Sequence, residues 1–348
     1  MRTRSDTRAP RAVAPSGTAT RSAARTATRS AARTTTTAAV ATAALVAVVV
    51  AGCSASASDV AGSPSPSSSA AAAPSATPAA VDVSAAVAAD LAALEGEFDA
   101  RVGISVVDTE TGATASHRAD ERFGYASSMK ALAAAQFLHD VPSDQRDEVV
   151  TWTAADVEAA GYSPVTSEHV ADGLTLAQLA EAAVRTSDNT ALNVVLDRVG
   201  GPAGLDRGLE GVGDTTTEVV NREPDLNTIE PGSTDDTSTP AAFTADLVAL
   251  LDGRWLDDPD RDLLLDWMSD NATGDSLVRA GAPEGWVVAD KSGGAGGIRN
   301  DVAVVTPPGR APIVITVLTA RNDPEARYDD ALVARAAAIV LGALPTPS

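Results

Sequence analysis

The sequence is poor in several residues on which whole enzyme classes depend. Its 348 residues include one cysteine, three histidines and two lysines, and aromatic side chains make up 3% of the chain. A single cysteine excludes an intrachain disulfide framework, and three scattered histidines argue against a zinc enzyme or a hydrolase with a histidine base. Chemistry in this chain must therefore come from Ser, Lys, Glu, Asp and backbone groups, and no metal or cofactor is implied.

Positive charge is also scarce. Lys and Arg together number 26 against 47 Asp and Glu, a formal net charge of -21, and this acidity argues against a nucleic-acid partner. Apolar residues make up 44% and charged residues 21% of the chain, enough of each for a large buried core and a solvated surface. The length predicts about two structural domains.

The amino-terminal segment has a charge opposite to that of the remainder. Residues 1–52 hold eight Arg and a single acid, and the uncharged stretch after Arg33 ends in AALVAVVVAGC. A basic region, an apolar run and small residues, in that order, indicate a secretory signal. The alternative is an uncleaved transmembrane anchor over residues 34–52. In both cases we expect the rest of the chain to face outside the cell.

Residues 50–53, Val-Ala-Gly-Cys, resemble a bacterial lipobox, and the only cysteine, Cys53, ends it. The resemblance implies that 1–52 is a lipoprotein signal peptide and that Cys53 becomes a lipidated first residue, anchored to the outer face of the cell membrane or partly secreted. Residues 53–80 are predicted to be a disordered tether, because a Ser-, Ala- and Pro-rich segment buries too little apolar surface to offset its ordering entropy. Removal of 1–52 leaves 18 basic and 46 acidic residues, a charge of -28.

Residues 81–348 have a globular pattern with strands at both ends and helices between them. Alternation predicts strands at 101–108, 113–119, 286–290, 301–307 and 312–320. Helical spacing predicts helices at 84–98, 129–138, 175–185, 190–199, 240–252 and 328–343. The sequence therefore predicts an α+β fold, with an α/β part over about 81–125 and 270–348 and an inserted all-α part over about 126–269.

The two lysines are the first candidates for chemistry. Arginine fills the other 24 basic positions, and a lysine amine, unlike a guanidinium, can lose its proton and relay it. Lys130 follows Ser127 by three residues, which places both on one face of a helix predicted to begin near Ser127. An amine beside a hydroxyl can activate a serine nucleophile without histidine. Because serine is common, this pair alone is a weak signal.

Three further motifs follow in order along the chain. They are Ser187-Asp188-Asn189, the loop sequence Glu223-Pro-Asp-Leu-Asn227, and Lys291-Ser292-Gly293 at the end of a predicted strand. Each motif is short and common, and a second Ser-Asp-Asn at 269–271 is interpreted as a helix end and turn. Their order and spacing resemble those of the class A β-lactamases, whose catalytic set includes S-x-x-K, S-D-N and K-T/S-G. The resemblance covers residues 85–345 and includes segments such as REPDLN and RNDVAVV.

The resemblance implies a β-lactamase/DD-peptidase-like fold, with an antiparallel sheet flanked by helices. It implies that Ser127 attacks the β-lactam carbonyl and that the backbone N–H groups of Ser127 and Gly294 form the oxyanion hole. Lys130 and Glu223 are both candidates for the acylation base. Ser187, aided by Lys291, would pass a proton to the departing nitrogen.

The resemblance assigns the remaining site residues to water and substrate. Glu223 would drive hydrolysis of the acyl-enzyme, with Asn227 orienting the same water. Asn189 would contact the substrate's side-chain amide, and Tyr162 would line the entrance. The substrate carboxylate would be held on the strand side of the site, by Lys291, Ser292, Gly293 and Arg299. The alternatives are a loop acid for Glu223, a surface cation for Arg299 and simple packing for Tyr162.

One departure from the family pattern concerns the loop that carries Glu223. Many relatives have an Arg two residues before the loop Glu, paired with an Asp at the position of Asp236, whereas this chain has Asn221. The adjacent Arg222 should point in a different direction. If no pair forms, the loop loses a clamp, and the expectation is slower or less selective deacylation that Asn221→Arg would correct.

Two other functions compete with β-lactam hydrolysis. A penicillin-binding DD-peptidase shares the Ser-x-x-Lys core and forms the same acyl-enzyme, but the loop with Glu223 and Asn227 favours a deacylating enzyme. A lipoprotein sensor that captures β-lactams or wall peptides needs no base for deacylation. The sequence therefore predicts a membrane-anchored, monomeric serine β-lactamase that acts on a small-molecule substrate. Its expected role is to confer β-lactam resistance, and the preferred class of β-lactam is left open.

Overall fold

The computed structural model describes residues 80–323 and 325–345. The predicted signal peptide 1–52, the predicted lipidation site Cys53 and the predicted tether up to residue 79 lie outside the described residues. Within the described part, none of the helices combines the length and apolar character needed to span a membrane.

Five long or medium strands form one antiparallel sheet. In chain order, the strands of the described residues are β1 (Ala100–Asp108), β2 (Thr114–His117), β3 (Phe123–Gly124), β4 (Val149–Val150), β5 (Leu174–Thr175), β6 (Thr237–Ser238), β7 (Val287–Ala295), β8 (Ile298–Thr306) and β9 (Ile313–Arg321). The main sheet has the order β2-β1-β9-β8-β7. The prediction of a sheet built from both ends of the globular region is confirmed.

The helices lie mainly between the two groups of long strands. They are α1 (Ser84–Phe98), α2 (Lys130–Asp140), α3 (Ala154–Ala160), α4 (Leu176–Arg185), α5 (Asn189–Arg198), α6 (Pro202–Val212), α7 (Pro240–Leu251), α8 (Asp258–Ser269), α9 (Val278–Gly281) and α10 (Asp330–Ala343). The six helices predicted from periodicity are present, and the later Ser-Asp-Asn lies where α8 ends, as expected.

The main sheet is buried on both faces. Along β9, Ile313, Ile315 and Val317 face a core shared with α1 and α10, whereas Val314 and Leu318 face the core of the helices in the middle of the chain. Successive side chains of a strand point to opposite faces, so a strand buried on both sides has an unbroken apolar run. This explains the sequence IVITVL, and it makes the sheet a rigid wall for the site at its β7 edge.

Candidate active site

Ser127 lies in a tight turn between β3 and α2. The turn Ala126–Met129 is a 3-10 helix, and α2 begins at Lys130. Helical structure therefore begins at the turn that holds Ser127, as expected, and its first turn is of the 3-10 type. Ala126, the first residue of this turn, has a φ of 46°, a left-handed conformation that is uncommon for a residue other than glycine.

Strand β7 passes unusually close to this turn. A Cβ atom on Gly293 would lie 2.7 Å from the carbonyl oxygen of Tyr125, so only glycine permits the approach. Asn300 on β8 ties the turn to the sheet, because its Nδ2 donates to the carbonyls of Gly124 at 2.8 Å and Tyr125 at 3.0 Å. The sheet edge and the serine turn consequently form one rigid unit.

Lys130 is completely buried behind the turn. Its Nζ lies 2.9 Å from Oε1 of Glu223 and donates to Asn189 Oδ1 at 2.6 Å and to the carbonyl of Ser187 at 2.7 Å. Burial lowers the pKa of Lys130, while the neighbouring carboxylate opposes this shift by favouring the charged amine. A lysine with this balance can both hold a charge and exchange a proton.

Ser187 lies in the short turn that joins α4 to α5, with a φ of 59°. Its Oγ accepts hydrogen bonds from Lys130 at 3.3 Å and from Lys291 at 3.2 Å. The turn is shaped by Asp188, whose carboxylate caps α5 through the N–H of Ala191 at 2.9 Å and accepts two further backbone N–H groups. Asp188 is thus structural, and Ser187 presents its hydroxyl between two amines.

Glu223 faces the nucleophile from the loop that leads to α7. Its Oε1 accepts a hydrogen bond from Ser127 Oγ at 3.1 Å, and its Oε2 accepts one from Asn227 Nδ2 at 2.5 Å. The amide of Asn193 on α5 holds the backbone of Glu223, with contacts of 3.1 Å to its N–H and 2.9 Å to its carbonyl. The peptide bond from Glu223 to Pro224 is cis. The carboxylate is therefore fixed through both its side chain and its main chain.

Lys291 approaches the same point from the sheet. Its side chain is fully buried, and its Nζ donates to Ser187 Oγ at 3.2 Å and to the carbonyl of Ser292 at 2.6 Å. Burial, followed by repulsion from Lys130, lowers the pKa of Lys291 to about 7. This amine consequently has a weakly compensated charge and exchanges protons near neutral pH.

These side chains surround a cavity of about 290 Å³. Its lining comprises Ser127, Tyr162, Ser187, Asn189, Glu223, Asn227, Thr273, Ser292, Gly294, Arg299 and Tyr328. Tyr162 stands at the opening with 61% of its surface exposed. The cavity thus gathers the predicted residues other than Gly293, Lys130 and Lys291, and the two lysines lie buried directly behind its wall.

Sequence reasoning missed two lining residues. Thr273 hydrogen-bonds Ser292 through their hydroxyls at 2.7 Å. Tyr328 lies beneath Arg299, whose guanidinium is 4.8 Å from the ring centroid and whose Nε donates to Asp330 at 2.7 Å. No local pattern identifies Tyr328, because it reaches the site from the segment after β9.

The loop with Glu223 has the clamp that the sequence did not predict. Asp236 is fully buried, and its carboxylate accepts four hydrogen bonds. The donors are Asn221 Nδ2 at 2.6 Å, the backbone N–H groups of Val220 and Asn221 at 3.1 and 3.0 Å, and the hydroxyl of Tyr125 at 2.7 Å. Four donors satisfy this carboxylate without a cation. The expected gap at Asn221 is therefore wrong, whereas Arg222 points elsewhere, as expected, and binds Asp197 at 2.6 Å.

A larger cavity, of about 820 Å³, lies on the other side of the Glu223 loop. Trp152, Val194, Asp197 and Arg222 are among its lining residues, and it shares Glu223 with the smaller cavity. The nucleophile candidate Ser127 lines only the smaller one, so the chemistry belongs there.

Comparison with known proteins agrees with this geometry. A sequence model described as the β-lactamase enzyme family matches residues 86–344. A β-lactamase of Bacillus amyloliquefaciens is 47% identical over 71% of this chain and 81% of its own, and one of Amycolatopsis lactamdurans is 48% identical over 73% and 84%. The chain belongs to the class A β-lactamase family.

Solved class A β-lactamases share the fold of this chain. The enzyme from Clostridium kluyveri has a TM-score of 0.71 with 42% identity and covers 73% of this chain and 97% of its own. The β-lactamase from Streptomyces albus G has a TM-score of 0.73 with 39% identity, covering 75% and 100%. The predicted family and fold class are confirmed, and this β-lactamase is a hydrolase of the β-lactam ring.

Proposed function

We propose that this β-lactamase works through an acyl-enzyme on Ser127. Ser127 Oγ forms a bond to the lactam carbonyl carbon, and the ring C–N bond then breaks. Between these two steps the lactam carbonyl oxygen carries a negative charge, which is stabilised by the backbone N–H groups of Ser127 and Gly294. Gly294 supports this role because it lines the cavity beside the serine. Water next cleaves the ester, which releases the ring-opened acid and restores the serine hydroxyl.

Two groups are candidates for the base that accepts the proton of Ser127. Glu223 is in direct contact, with its Oε1 3.1 Å from Ser127 Oγ. Lys130 binds the same carboxylate oxygen at 2.9 Å, so a proton taken by either group can pass to the other. We propose that the Lys130–Glu223 pair accepts this proton as a unit.

Ser187 is proposed to deliver a proton to the departing lactam nitrogen. Its Oγ contacts both Lys130 and Lys291, and the lowered pKa of Lys291, about 7, makes that amine a ready donor. The proton that leaves Ser127 can thus return to the substrate through a continuous chain of hydrogen bonds.

Glu223 and Asn227 are proposed to activate the deacylating water. Their side chains are joined at 2.5 Å, and Asn227 Oδ1 accepts no hydrogen bond from a described residue, which leaves an acceptor for a water proton. Asn189 is proposed to contact the substrate amide. The carboxylate of the substrate is assigned to the strand side of the cavity, to Lys291, Ser292, Gly293 and Arg299, with Tyr162 at the entrance.

The hydrogen bond between Ser127 and Glu223 carries this proposal, because it places a base on the nucleophile. The test is turnover of a chromogenic cephalosporin by the wild type and by Glu223→Ala, with mass spectrometry of each protein after mixing. We expect turnover by the wild type and a stable adduct on Ser127 only in the variant. Glu230→Ala, an exposed acid of the same loop, is the matched control and should behave as wild type.

A stable adduct on both wild type and Glu223→Ala would contradict the assigned deacylation role and favour a DD-peptidase or sensor. No adduct on Glu223→Ala would make Glu223 indispensable for acylation as well, whereas turnover retained by Ser127→Ala would remove Ser127 as the nucleophile. Substitution of Ser127 by Ala completes the series, since it should abolish both turnover and labelling.

We further propose a lipid anchor on Cys53 that places the enzyme outside the cell, where it would protect wall synthesis from β-lactams. The basic, apolar and small-residue order of 1–52 and the single cysteine support this proposal. Expressed in a Gram-positive host, the wild type should incorporate labelled fatty acid and sediment with membranes, whereas Cys53→Ala should do neither. Equal labelling of both proteins would contradict it. The monomeric state remains a proposal, to be measured by sedimentation.

A further inference from the structure

The loop that carries the deacylation base is attached to the fold on two sides. On its inner side, Asn221 binds the buried Asp236 at 2.6 Å. On its outer side, Arg222 reaches α5, where its Nη1 donates to a backbone carbonyl at 3.1 Å and its Nη2 lies 2.6 Å from Asp197 Oδ1. Two consecutive residues therefore tie the loop to different parts of the molecule, immediately before Glu223.

The outer attachment leads directly to the base. The backbone carbonyl that accepts the hydrogen bond from Arg222 belongs to Asn193. The side-chain amide of Asn193 in turn hydrogen-bonds the backbone N–H and carbonyl of Glu223, at 3.1 and 2.9 Å. The guanidinium thus holds the one residue of α5 that grips the main chain of Glu223. Asp197, one helical turn further along α5, fixes the guanidinium itself.

We propose that Arg222, paired with Asp197, is a positioning residue for deacylation. Arg222 lines the larger cavity behind the loop and not the cavity of Ser127, so it acts through Asn193 and Glu223 rather than on the substrate. This inference rests on the proposed role of Glu223. It assigns to Arg222 the external restraint of the loop, complementary to the internal restraint supplied by Asn221.

The exposure of the pair sets the size of the effect. The side chains of Arg222 and Asp197 are 39% and 68% exposed, and an exposed ion pair alone contributes little to stability. The hydrogen bond to the carbonyl of Asn193 is charge-assisted and adds to it. A small displacement of a general base nevertheless slows its step, because proton transfer needs hydrogen-bond contact. We expect loss of Arg222 to slow deacylation by about threefold to tenfold.

The experiment measures acylation and deacylation separately, by rapid mixing of full-length enzyme with a chromogenic cephalosporin. For Arg222→Ala we expect a slower deacylation rate and a larger fraction of acyl-enzyme at steady state, with an acylation rate that changes little because Lys130 can also accept the proton of Ser127. The values of kcat and KM should then fall together with kcat/KM preserved. Asp197→Ala should reproduce part of this effect, and the double variant should be no slower than Arg222→Ala, because both changes remove one interaction. Arg222→Lys, which retains the charge but not the forked geometry, should be intermediate.

Arg335→Ala provides the matched control. Its ion pair with Glu97 joins α1 to α10, has side chains 50% and 56% exposed, and lies on the opposite face of the sheet from the helical core. Loss of that pair should leave deacylation unchanged. A fall of acylation and deacylation by the same factor in Arg222→Ala would overturn the proposal, because it would indicate general loosening; so would an unchanged deacylation rate.

The Glu223→Ala protein separates the two levels of inference. If it deacylates as fast as the wild type, the proposed role of Glu223 in deacylation fails, whatever Arg222 does. If it accumulates an acyl-enzyme while Arg222→Ala deacylates at the wild-type rate, only the positioning role is wrong. Additive slowing in the Arg222→Ala, Asp197→Ala double variant would also contradict the pairing, since independent effects add.

Discussion

The two lysines of the chain are equally buried behind the same cavity and both donate to Ser187 Oγ, yet their surroundings differ. Lys130 on the helical side has the Glu223 carboxylate at 2.9 Å and two further oxygen acceptors within 2.7 Å. Lys291 on the sheet side binds only a carbonyl and the hydroxyl of Ser187. One amine is thus part of a complete ion pair, and the other has hydrogen bonds but no contacting carboxylate.

The difference follows from the partners that each amine needs during the reaction. The more distant carboxylates of Asp290, Asp301 and Glu223 favour the charged form of Lys291 and so raise its pKa. Burial and the charge of Lys130 outweigh them, and the pKa of Lys291 falls to about 7. A substrate carboxylate would supply the missing counter-charge. The helical side thus has its lysine already paired with a carboxylate, whereas the sheet side has a lysine whose counter-charge is proposed to come from the substrate.

Of the changes that test this difference, removal of Lys130, the lysine paired with a carboxylate, should have the largest effect. In Lys130→Met, Glu223 and Asn189 lose their buried partner, and removing one member of a buried ion pair costs about 3–5 kcal/mol. We expect turnover to fall by about a hundredfold to ten-thousandfold, with a lower Tm. Burst kinetics and thermal unfolding measure the two effects. Lys130→Arg is the control, because it keeps the charge but not the titratable amine. Turnover of Lys130→Met within tenfold of wild type would refute the role of the pair.

A buried acid pair extends the comparison to carboxylates. Asp246 on α7 and Asp214 at the start of the Glu223 loop are 2% and 7% exposed. One carboxyl oxygen of each accepts no hydrogen bond from a described donor. Burial and the charge of Asp214 raise the pKa of Asp246 to about 9, with only Arg254 opposing. Asp214 also accepts two backbone N–H groups of the loop.

This pair predicts a pH-dependent stability with a definite sign. Folded Asp246 keeps its proton up to pH about 9, whereas an unfolded carboxyl loses it near its usual pKa of 3.8. The folded state therefore binds the extra proton, and its stability falls as pH rises between these limits. Asp246→Asn keeps a donor but does not titrate. The unfolding constant of wild type relative to this variant should rise by about tenfold per pH unit between pH 5 and 8.

Denaturant titrations of both proteins at several pH values measure this ratio, and the other titrating groups cancel in it. A ratio that is constant from pH 5 to 8 would mean that the pair is not protonated in the folded enzyme. A ratio that falls with pH would mean that the proton is held by the unfolded chain, which contradicts the geometry.

The uncompensated lysine should produce a smaller effect, visible in the pH profile. With a pKa of about 7, Lys291 is charged below pH 7 and neutral above it, so attraction for a substrate carboxylate weakens as pH rises. We expect kcat/KM to fall by about tenfold between pH 6 and 9, because this ratio reports free-enzyme ionisation. Lys291→Arg keeps its charge over this range and should lack the fall. The same alkaline fall in Lys291→Arg would assign it to another group.

Much of this molecule could be predicted from the sequence, because its signals are local or have a distinctive order. Helices and strands appear where apolar spacing placed them, since both faces of the sheet and at least one face of each long helix are buried. The serine, the two lysines and the loop acid meet at one cavity, as the family resemblance implied. The left-handed conformation of Ala126 could not be predicted, because alanine rarely adopts it.

Long-range compensation could not be predicted in the same way. Tyr328 enters the cavity, and Asp246 meets Asp214, through contacts between segments far apart in the chain. Asn221 was judged from the residue it replaces, whereas its effect depends on the other donors that surround Asp236. A substitution in a buried polar network changes the whole network, so one position cannot be read alone.

Asn221→Arg tests whether the other donors around Asp236 already hold the loop, and it should have the smallest effect on deacylation and stability. Asp236 already accepts four hydrogen bonds, including one of 2.6 Å from the Asn221 amide. Arginine would add a charge but lose this bond and bury a guanidinium, two contributions that nearly cancel. We therefore expect deacylation to stay within about threefold of wild type and Tm to change by no more than about 3 °C.

The comparison with Asn221→Ala makes a small change informative. Alanine leaves Asp236 Oδ2 buried without the amide donor that it has now, and an unsatisfied buried acceptor costs about 1–3 kcal/mol. The alanine variant should thus be less stable than both wild type and Asn221→Arg. A tenfold faster deacylation in Asn221→Arg would show instead that the amide leaves the loop loosely held. In that case the outer restraint from Arg222 would be the only firm attachment next to the base, and loss of Arg222 should matter less in the Asn221→Arg background than in wild type.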